Sequence, residues 1–173
     1  MTTTEKNKLF CDLITEYRPR LYRIAKGILK NEVDAEDAVS ETTYKAYAKF
    51  NKLRNLESFK SWIIKILVHE SYAISNKRRS IEYLDNIFIE NNNSYSENIN
   101  SFILWDAVQL LNDEFRTVTI LFYYEDMKIK DISKILKIPI GTVNSRLNRS
   151  RKKLKEIFIQ EGVESYESYW WFR

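Results

Sequence analysis

Cysteine, glycine and proline are scarce in this sequence: one Cys, three Gly and two Pro among 173 residues. A single Cys11 cannot close an internal disulfide, which suits a reducing compartment. So little Gly and Pro leaves few turns for a many-stranded sheet, and an all-α fold is expected. No apolar run approaches the roughly 18 residues that a membrane span needs. Met1 to Phe10 carries neither the apolar stretch nor the small-residue cleavage site of a secretory signal, so a cytoplasmic location is expected. Histidine occurs once, at His69, without the Cys/His spacing of a metal site. Neither a Gly-rich phosphate loop nor a Ser/His pairing is present, which argues against an enzyme, a cofactor, a metal or a small-molecule substrate.

What is there suffices for folding: 44% of the residues are apolar and 30% charged. The formal net charge of +4 is modest, but it is unevenly placed. Residues 31–44 hold Glu32, Asp34, Glu36, Asp37 and Glu41 with no base, whereas residues 144–155 hold Arg146, Arg149, Arg151, Lys152, Lys153 and Lys155 with no acid. One end should meet a basic surface and the other a polyanion.

Helical periodicity appears from Leu9 through Ile14 and Tyr17, and again at Leu21, Ile24, Ala25 and Ile28, with Pro19 expected to separate or kink the two stretches. Asp34 is the expected N-cap of a further helix that turns Ala35, Ala38, Val39, Thr42 and Ala46 inward. Another begins at Ser58 with Phe59, Ile63, Ile66 and Leu67 on one face and ends in Lys77, Arg78 and Arg79. These helices make a first domain over residues 8–79. From Ser80 to Ser101 there are six Asn, four acids and no base, the composition of a flexible linker, although Ile81, Leu84, Ile87, Phe88 and Ile89 would also suit a short helix or a docked segment. A second domain over 102–160 opens with Leu104, Ala107, Val108 and Leu111. Asn112 or Asp113 caps its next helix, which holds Val118, Leu121 and Phe122. Residues 161–173 form an aromatic tail of unknown role.

Asp131 to Leu147 has the spacing of a helix-turn-helix. Ile132, Ile135, Leu136, Ile138, Val143 and Leu147 make its core, and Pro139 fixes the start of the second helix. Thr142, Asn144, Ser145, Arg146, Asn148 and Arg149 then face outward as short or bidentate polar groups suited to base edges in a major groove of double-stranded DNA. Arg151, Lys152, Lys153 and Lys155 follow as phosphate contacts. An ordinary solvated basic face is the plainer reading of any one charge run, but six bases directly behind this turn favour DNA.

The run from Ile138 to Leu154, Ile-Pro-Ile-Gly-Thr-Val-Asn-Ser-Arg-Leu-Asn-Arg-Ser-Arg-Lys-Lys-Leu, resembles the promoter-reading motif of bacterial sigma factors of the extracytoplasmic-function group. Asp34 to Thr42, Asp-Ala-Glu-Asp-Ala-Val-Ser-Glu-Thr, resembles the family's acidic helix for the largest polymerase subunit, and Phe59-Lys-Ser-Trp-Ile63 its promoter-melting motif. The three motifs stand in the family's order across roughly residues 10–157. The resemblance implies two small helical domains joined by a flexible linker. The first would bind core RNA polymerase through Asp34, Glu36, Asp37, Ser40 and Glu41, and would recognise and melt the minus-ten element with Phe59, Lys60, Trp62, His69, Lys77, Arg78 and Arg79.

The second domain would read the minus-thirty-five element with Thr142, Asn144, Ser145, Arg146, Asn148, Arg149, Lys152 and Lys153. A membrane-linked anti-sigma factor is implied as a further partner. On residue type alone Trp62 reads first as a core or edge aromatic, and it is the motif that turns it to the promoter; the plainer readings of the acids and of Lys77 to Arg79 are a solvated, self-capping face and a helix-dipole compensation. Three positions depart from the family pattern: His69 stands where Asn is common, Asn144 where Lys is frequent and Ser40 where Gln is frequent. A free-standing helix-turn-helix transcription regulator is the alternative class, but it leaves the acidic helix and the Phe59 to Ile63 motif without a task.

Overall fold

A computed structural model describes residues 2–84 and 104–162, with backbone only for 81–84. Every described element is helical, and the chain divides into two compact units, Met1–Ile81 and Glu82–Arg173. Residues 85–103, which hold most of the Asn-rich stretch, and the aromatic tail beyond residue 162 lie outside the described residues.

The first unit opens with α1, Thr3–Leu29. Thr2 and Glu5 form a reciprocal capping box at its start, each side chain satisfying the other's backbone N–H. Pro19 does not separate two helices: α1 runs through it, with Phe10 buried before it and Leu21, Ile24, Ala25 and Ile28 after it. Losing one backbone hydrogen bond is tolerated because the apolar stripe on both sides is anchored in the same core. At the C-terminus Lys30 turns left-handed with φ 59° and its N–H bonds to the Lys26 carbonyl at 2.8 Å.

The next helix, α2 (Glu32–Lys49), follows at once, but its cap is Asn31 and not Asp34. The Asn31 side chain accepts from the Asp34 N–H at 2.9 Å, and Asp34 thereby sits inside the first turn, where a carboxylate still complements the helix dipole. Ala35, Ala38, Val39, Thr42 and Ala46 are buried as expected, and the small side chains let α2 lie close on α1. Phe10 meets Tyr47 and Phe50 with ring centroids 5.3 and 5.1 Å apart, so the two helices are antiparallel. Lys26 and Glu32 clasp the connection between them, and the Lys26 hydrogen bond holds the Glu32 carboxyl below its usual range.

Two 3-10 turns, Phe50–Lys52 and Leu56–Ser58, lead into α3, Phe59–Leu84. Asn55 shapes the second turn, its side chain accepting from Glu57 N–H at 2.9 Å and its carbonyl from the Ser58 hydroxyl at 2.6 Å. Phe59, Ile63, Ile64, Leu67 and Val68 are buried, while Ile66 is only half-buried. The helix does not end at the basic cluster but continues to Leu84, so Lys77, Arg78 and Arg79 precede its last turn. Helix-dipole compensation, which fades beyond that turn, is therefore not their explanation.

The second unit begins with α4, Leu104–Leu110, and α5, Asp113–Thr119, whose N-cap is Asn112. A π-helical turn, Ile120–Tyr124, widens the end of α5, leaving Leu121 buried and Phe122 half-buried. Arg116 is fully buried, donating to the Leu111 carbonyl and to Asp113, each at 2.6 Å, and so braces the turn between α4 and α5. The helix-turn-helix comprises α6, Ile129–Leu136, and α7, Ile140–Gln160. α5 and α6 both pack on α7, and Val143, Leu147, Ser150, Leu154 and Phe158 form its buried stripe.

Candidate nucleic-acid and polymerase interfaces

The turn between α6 and α7 is held by Ser133. Its hydroxyl donates to the Ile138 carbonyl at 2.6 Å, and the Ile138 N–H returns a bond to the Ser133 carbonyl at 3.2 Å. Lys137, between them, is left-handed with φ 54°, a conformation that glycine adopts without steric cost. Pro139 supplies the N-cap of α7, and its carbonyl accepts the Val143 N–H at 3.1 Å. Ile132, Ile135, Val143 and Leu147 are buried between the two helices, with Leu136 and Ile138 half-buried at the edge.

α7 is one continuous helix, so the trailing bases lie on the same rod as the residues expected to read DNA rather than beyond it. The face opposite its buried stripe carries Ser145, Asn148, Arg149 and Lys152, all exposed. Two flanks differ. Asn144, Arg151 and Lys155 lie on one, where Arg151 donates to Asn148. Burial raises the pKa of the neighbouring Tyr123 hydroxyl, which Arg151 partly opposes. Thr142, Arg146 and Lys153 lie on the other, facing α5. There Arg146 Nη2 stands 2.8 Å from Glu114 Oε2, and the Lys153 ammonium 5.7 Å from the Phe115 ring centroid. Ser145 turns its hydroxyl back to the Thr142 carbonyl at 3.0 Å. Of the eight residues expected to read DNA, Arg146 and Thr142 are thus half-buried and the rest exposed.

In the first unit the outward face of α2 brings Glu36, Asp37, Ser40 and Glu41 into one exposed stripe, with Lys45 bridging Glu41 and Glu70 at 3.2 and 2.7 Å. The acidic stripe also holds Val33 and Tyr44, 68% and 70% exposed, which the sequence reading did not single out. Their signal was present as the i, i+4, i+7, i+11 series Val33, Asp37, Ser40, Tyr44, interleaved with the buried alanines. Asp34 differs from its neighbours: it is paired with Arg78 of α3 at 2.8 Å and is largely covered.

The α3 residues separate by depth. Phe59 is 2% exposed, packed edge-on against Tyr17 and Phe50 at 5.3 and 6.2 Å, and is a core ring rather than a surface one. Trp62 is half-buried and rests on Phe59, with centroids 5.8 Å apart. Lys60 and His69 are also half-buried, whereas Lys77, Arg78 and Arg79 are exposed. Among the described residues no group of three or more His, Cys, Asp or Glu side chains could hold a metal ion, and no helix is long and apolar enough to cross a membrane.

Comparison with known proteins matches both units. Residues 13–80 fit the family described as Sigma-70 region 2, and residues 101–154 the family described as Sigma-70, region 4. The RNA polymerase sigma factor SigV of Bacillus subtilis is 32% identical over 156 residues, which cover 90% of this chain and 94% of that protein. The ECF RNA polymerase sigma factor SigW of the same organism is 28% identical over 163 residues, covering 85% and 87%. Among solved structures, the sigma factor RpoE in complex with the anti-sigma factor NepR from Bartonella quintana superposes with a TM-score of 0.73 at 29% identity, covering 88% of this chain and 98% of that one. CnrH in complex with the cytosolic domain of CnrY shares the fold at 17% identity, with a TM-score of 0.62. With both sigma regions in order and a relative above 30% identity along nearly its whole length, the chain belongs to the RNA polymerase sigma factors of the extracytoplasmic-function group, which direct the polymerase to specific promoters.

Proposed function

We propose that the two units divide the work of initiation. The exposed stripe Glu36, Asp37, Ser40 and Glu41, with Val33 and Tyr44 among the acids, docks on a basic surface of core RNA polymerase. Asp34 belongs to the same site but is held by Arg78 in the free chain. Trp62, Lys60 and His69 along α3 contact the opened minus-ten strand, and Lys77, Arg78 and Arg79 hold its phosphates. Phe59 supports Trp62 from beneath. The second unit reads the minus-thirty-five element in the major groove with the exposed and flanking residues of α7, while Lys152 and Lys153 hold the backbone. The protein acts in the cytoplasm, and an anti-sigma factor restrains it, as the NepR complex of its relative suggests; the resemblance adds a membrane link to that partner.

The observation that carries this reading is the segregation of charge onto two exposed helix faces, acids on α2 and bases on α7, each with its apolar side buried. Reversing Glu36 and Asp37 to Lys tests it better than reversing Asp34, because neither takes part in the α2–α3 ion pair that Asp34 makes. The double variant is expected to lose co-purification with core polymerase while its urea unfolding midpoint stays unchanged. Retained co-purification would remove the docking assignment.

A further inference from the structure

We propose that Glu114, on α5, is a positioning residue for promoter reading, holding the Arg146 guanidinium of α7 in the orientation that recognises one base pair of the minus-thirty-five element. The inference rests on the proposed role of Arg146 as a base reader and adds a second residue to it, 32 positions away in sequence and outside the helix-turn-helix. Glu114 Oε2 lies 2.8 Å from Arg146 Nη2. The Arg146 side chain is 24% exposed and that of Glu114 48%, so the pair stands at the rim of the reading face, half in contact with solvent.

The backbone that carries the carboxylate packs against α7. At the next residue, the Ser150 hydroxyl lies 3.2 Å from the Phe115 carbonyl and 2.8 Å from the Arg146 carbonyl, and one turn further along α7 the Lys153 ammonium lies over the Phe115 ring. Three successive turns of the α7 flank are therefore tied to the first turn of α5. A bidentate contact to guanine O6 and N7 requires two N–H groups in one plane at a set height above the groove floor. An arginine on an open helix face samples many rotamers, whereas one whose Nη2 is paired with a carboxylate of a packed neighbouring helix keeps its plane and offers the other donors of the fork to a second acceptor.

The same carboxylate has a second, opposite effect. Close to the phosphate backbone it repels DNA of every sequence, so Glu114 sharpens discrimination while lowering general affinity. A pair that served only to join α5 to α7 would not separate these two quantities.

The test uses the full chain with core polymerase, a set of single-base variants of the minus-thirty-five element, and unrelated duplex DNA as competitor. Arg146→Ala is expected to flatten preference at one base pair by about tenfold or more. Glu114→Gln should reduce preference at that same base pair by about three- to tenfold, tighten binding to the unrelated duplex, and add nothing in the Arg146→Ala background. If Arg146→Ala flattens one position but Glu114→Gln leaves the profile unchanged, or flattens it equally in the Arg146→Ala background, the role of Glu114 is wrong and the reader stands. If Arg146→Ala weakens all sequences alike, the reader itself is wrong, and the inference falls with it.

Discussion

Phe59 and Trp62 lie one helical turn apart on α3, at different depths. Phe59 is enclosed by Tyr17, Phe50 and Trp62, so truncating it leaves a cavity among rings. Phe59→Ala is expected to cost about 3–5 kcal/mol and to threaten the first unit as a whole. Trp62 is half-buried with Phe59 under one side, and Trp62→Ala should cost closer to the roughly 0.5–1.5 kcal/mol of a ring pair, plus a small loss of area. Its main effect should be loss of permanganate-reactive opening when the holoenzyme meets duplex promoters. A stability loss for Trp62→Ala as large as that for Phe59→Ala would make Trp62 a core residue.

On α7 the same argument separates Arg149 from Lys152. Both are exposed on the outward face, but the planar guanidinium matches two acceptors of a guanine edge, whereas the ammonium is a point charge. Arg149→Ala should relax preference at one base pair, by about 1–3 kcal/mol. Lys152→Ala should weaken all sequences alike and lower the salt slope by about one unit. Holoenzyme binding to single-base promoter variants at two salt concentrations distinguishes the two patterns, and a uniform loss for Arg149→Ala would reassign it to the backbone.

At the scale of elements, caps and turns decide where the functional faces begin. Asn31 caps the start of α2, while the burial of Ala35 and Ala38 sets which residues of the acidic segment point outward. Asn31→Ala is expected to cost about 1 kcal/mol in urea unfolding without altering the composition of the exposed stripe. Lys137 carries a left-handed backbone in the helix-turn-helix, and Lys137→Gly should stabilise the second unit by up to about 1 kcal/mol, because a side chain there crowds the backbone. A loss on Lys137→Gly would mean that the side chain of Lys137 contributes more than its conformation costs.

The apolar periods of α1, α2 and α3 were legible in the sequence, since alanines and branched residues recur at helical spacing. The caps were less so. Asn31, Asp34 and Asp37 are all competent N-caps by type, and only the packing of Ala35 and Ala38 against α1 selects the first. Pro19 signalled a break that the continuous burial on both sides overrode. Neither the π-helical turn at Ile120–Tyr124 nor the burial of Arg116 had a periodic signature, because that segment is enclosed on nearly every side.

At the scale of the whole molecule, the run without bases, 31–44, and the run without acids, 144–155, lie in different units. If core polymerase is engaged through α2, as proposed above, the chain should bind promoters weakly alone. The full chain by itself is expected to give no promoter-specific footprint at physiological salt, and to give one over both elements once core polymerase is added. A sequence-specific footprint from the chain alone would instead fit the free-standing regulator.

The sequence by itself determined the all-helical architecture, the order of the three motifs, the family they resemble and the opposite charge of the runs 31–44 and 144–155, because those properties are carried by residue type and spacing along the chain. Tertiary structure alone decided which members of each motif are surface and which are core. Phe59 went inward under Trp62, Asp34 was drawn to Arg78, and Arg146 was drawn to Glu114. The two ion pairs join residues far apart in sequence, 44 positions for Asp34 and Arg78, and Phe59 is covered by Tyr17 of α1, so helix packing and no local pattern brings these groups together.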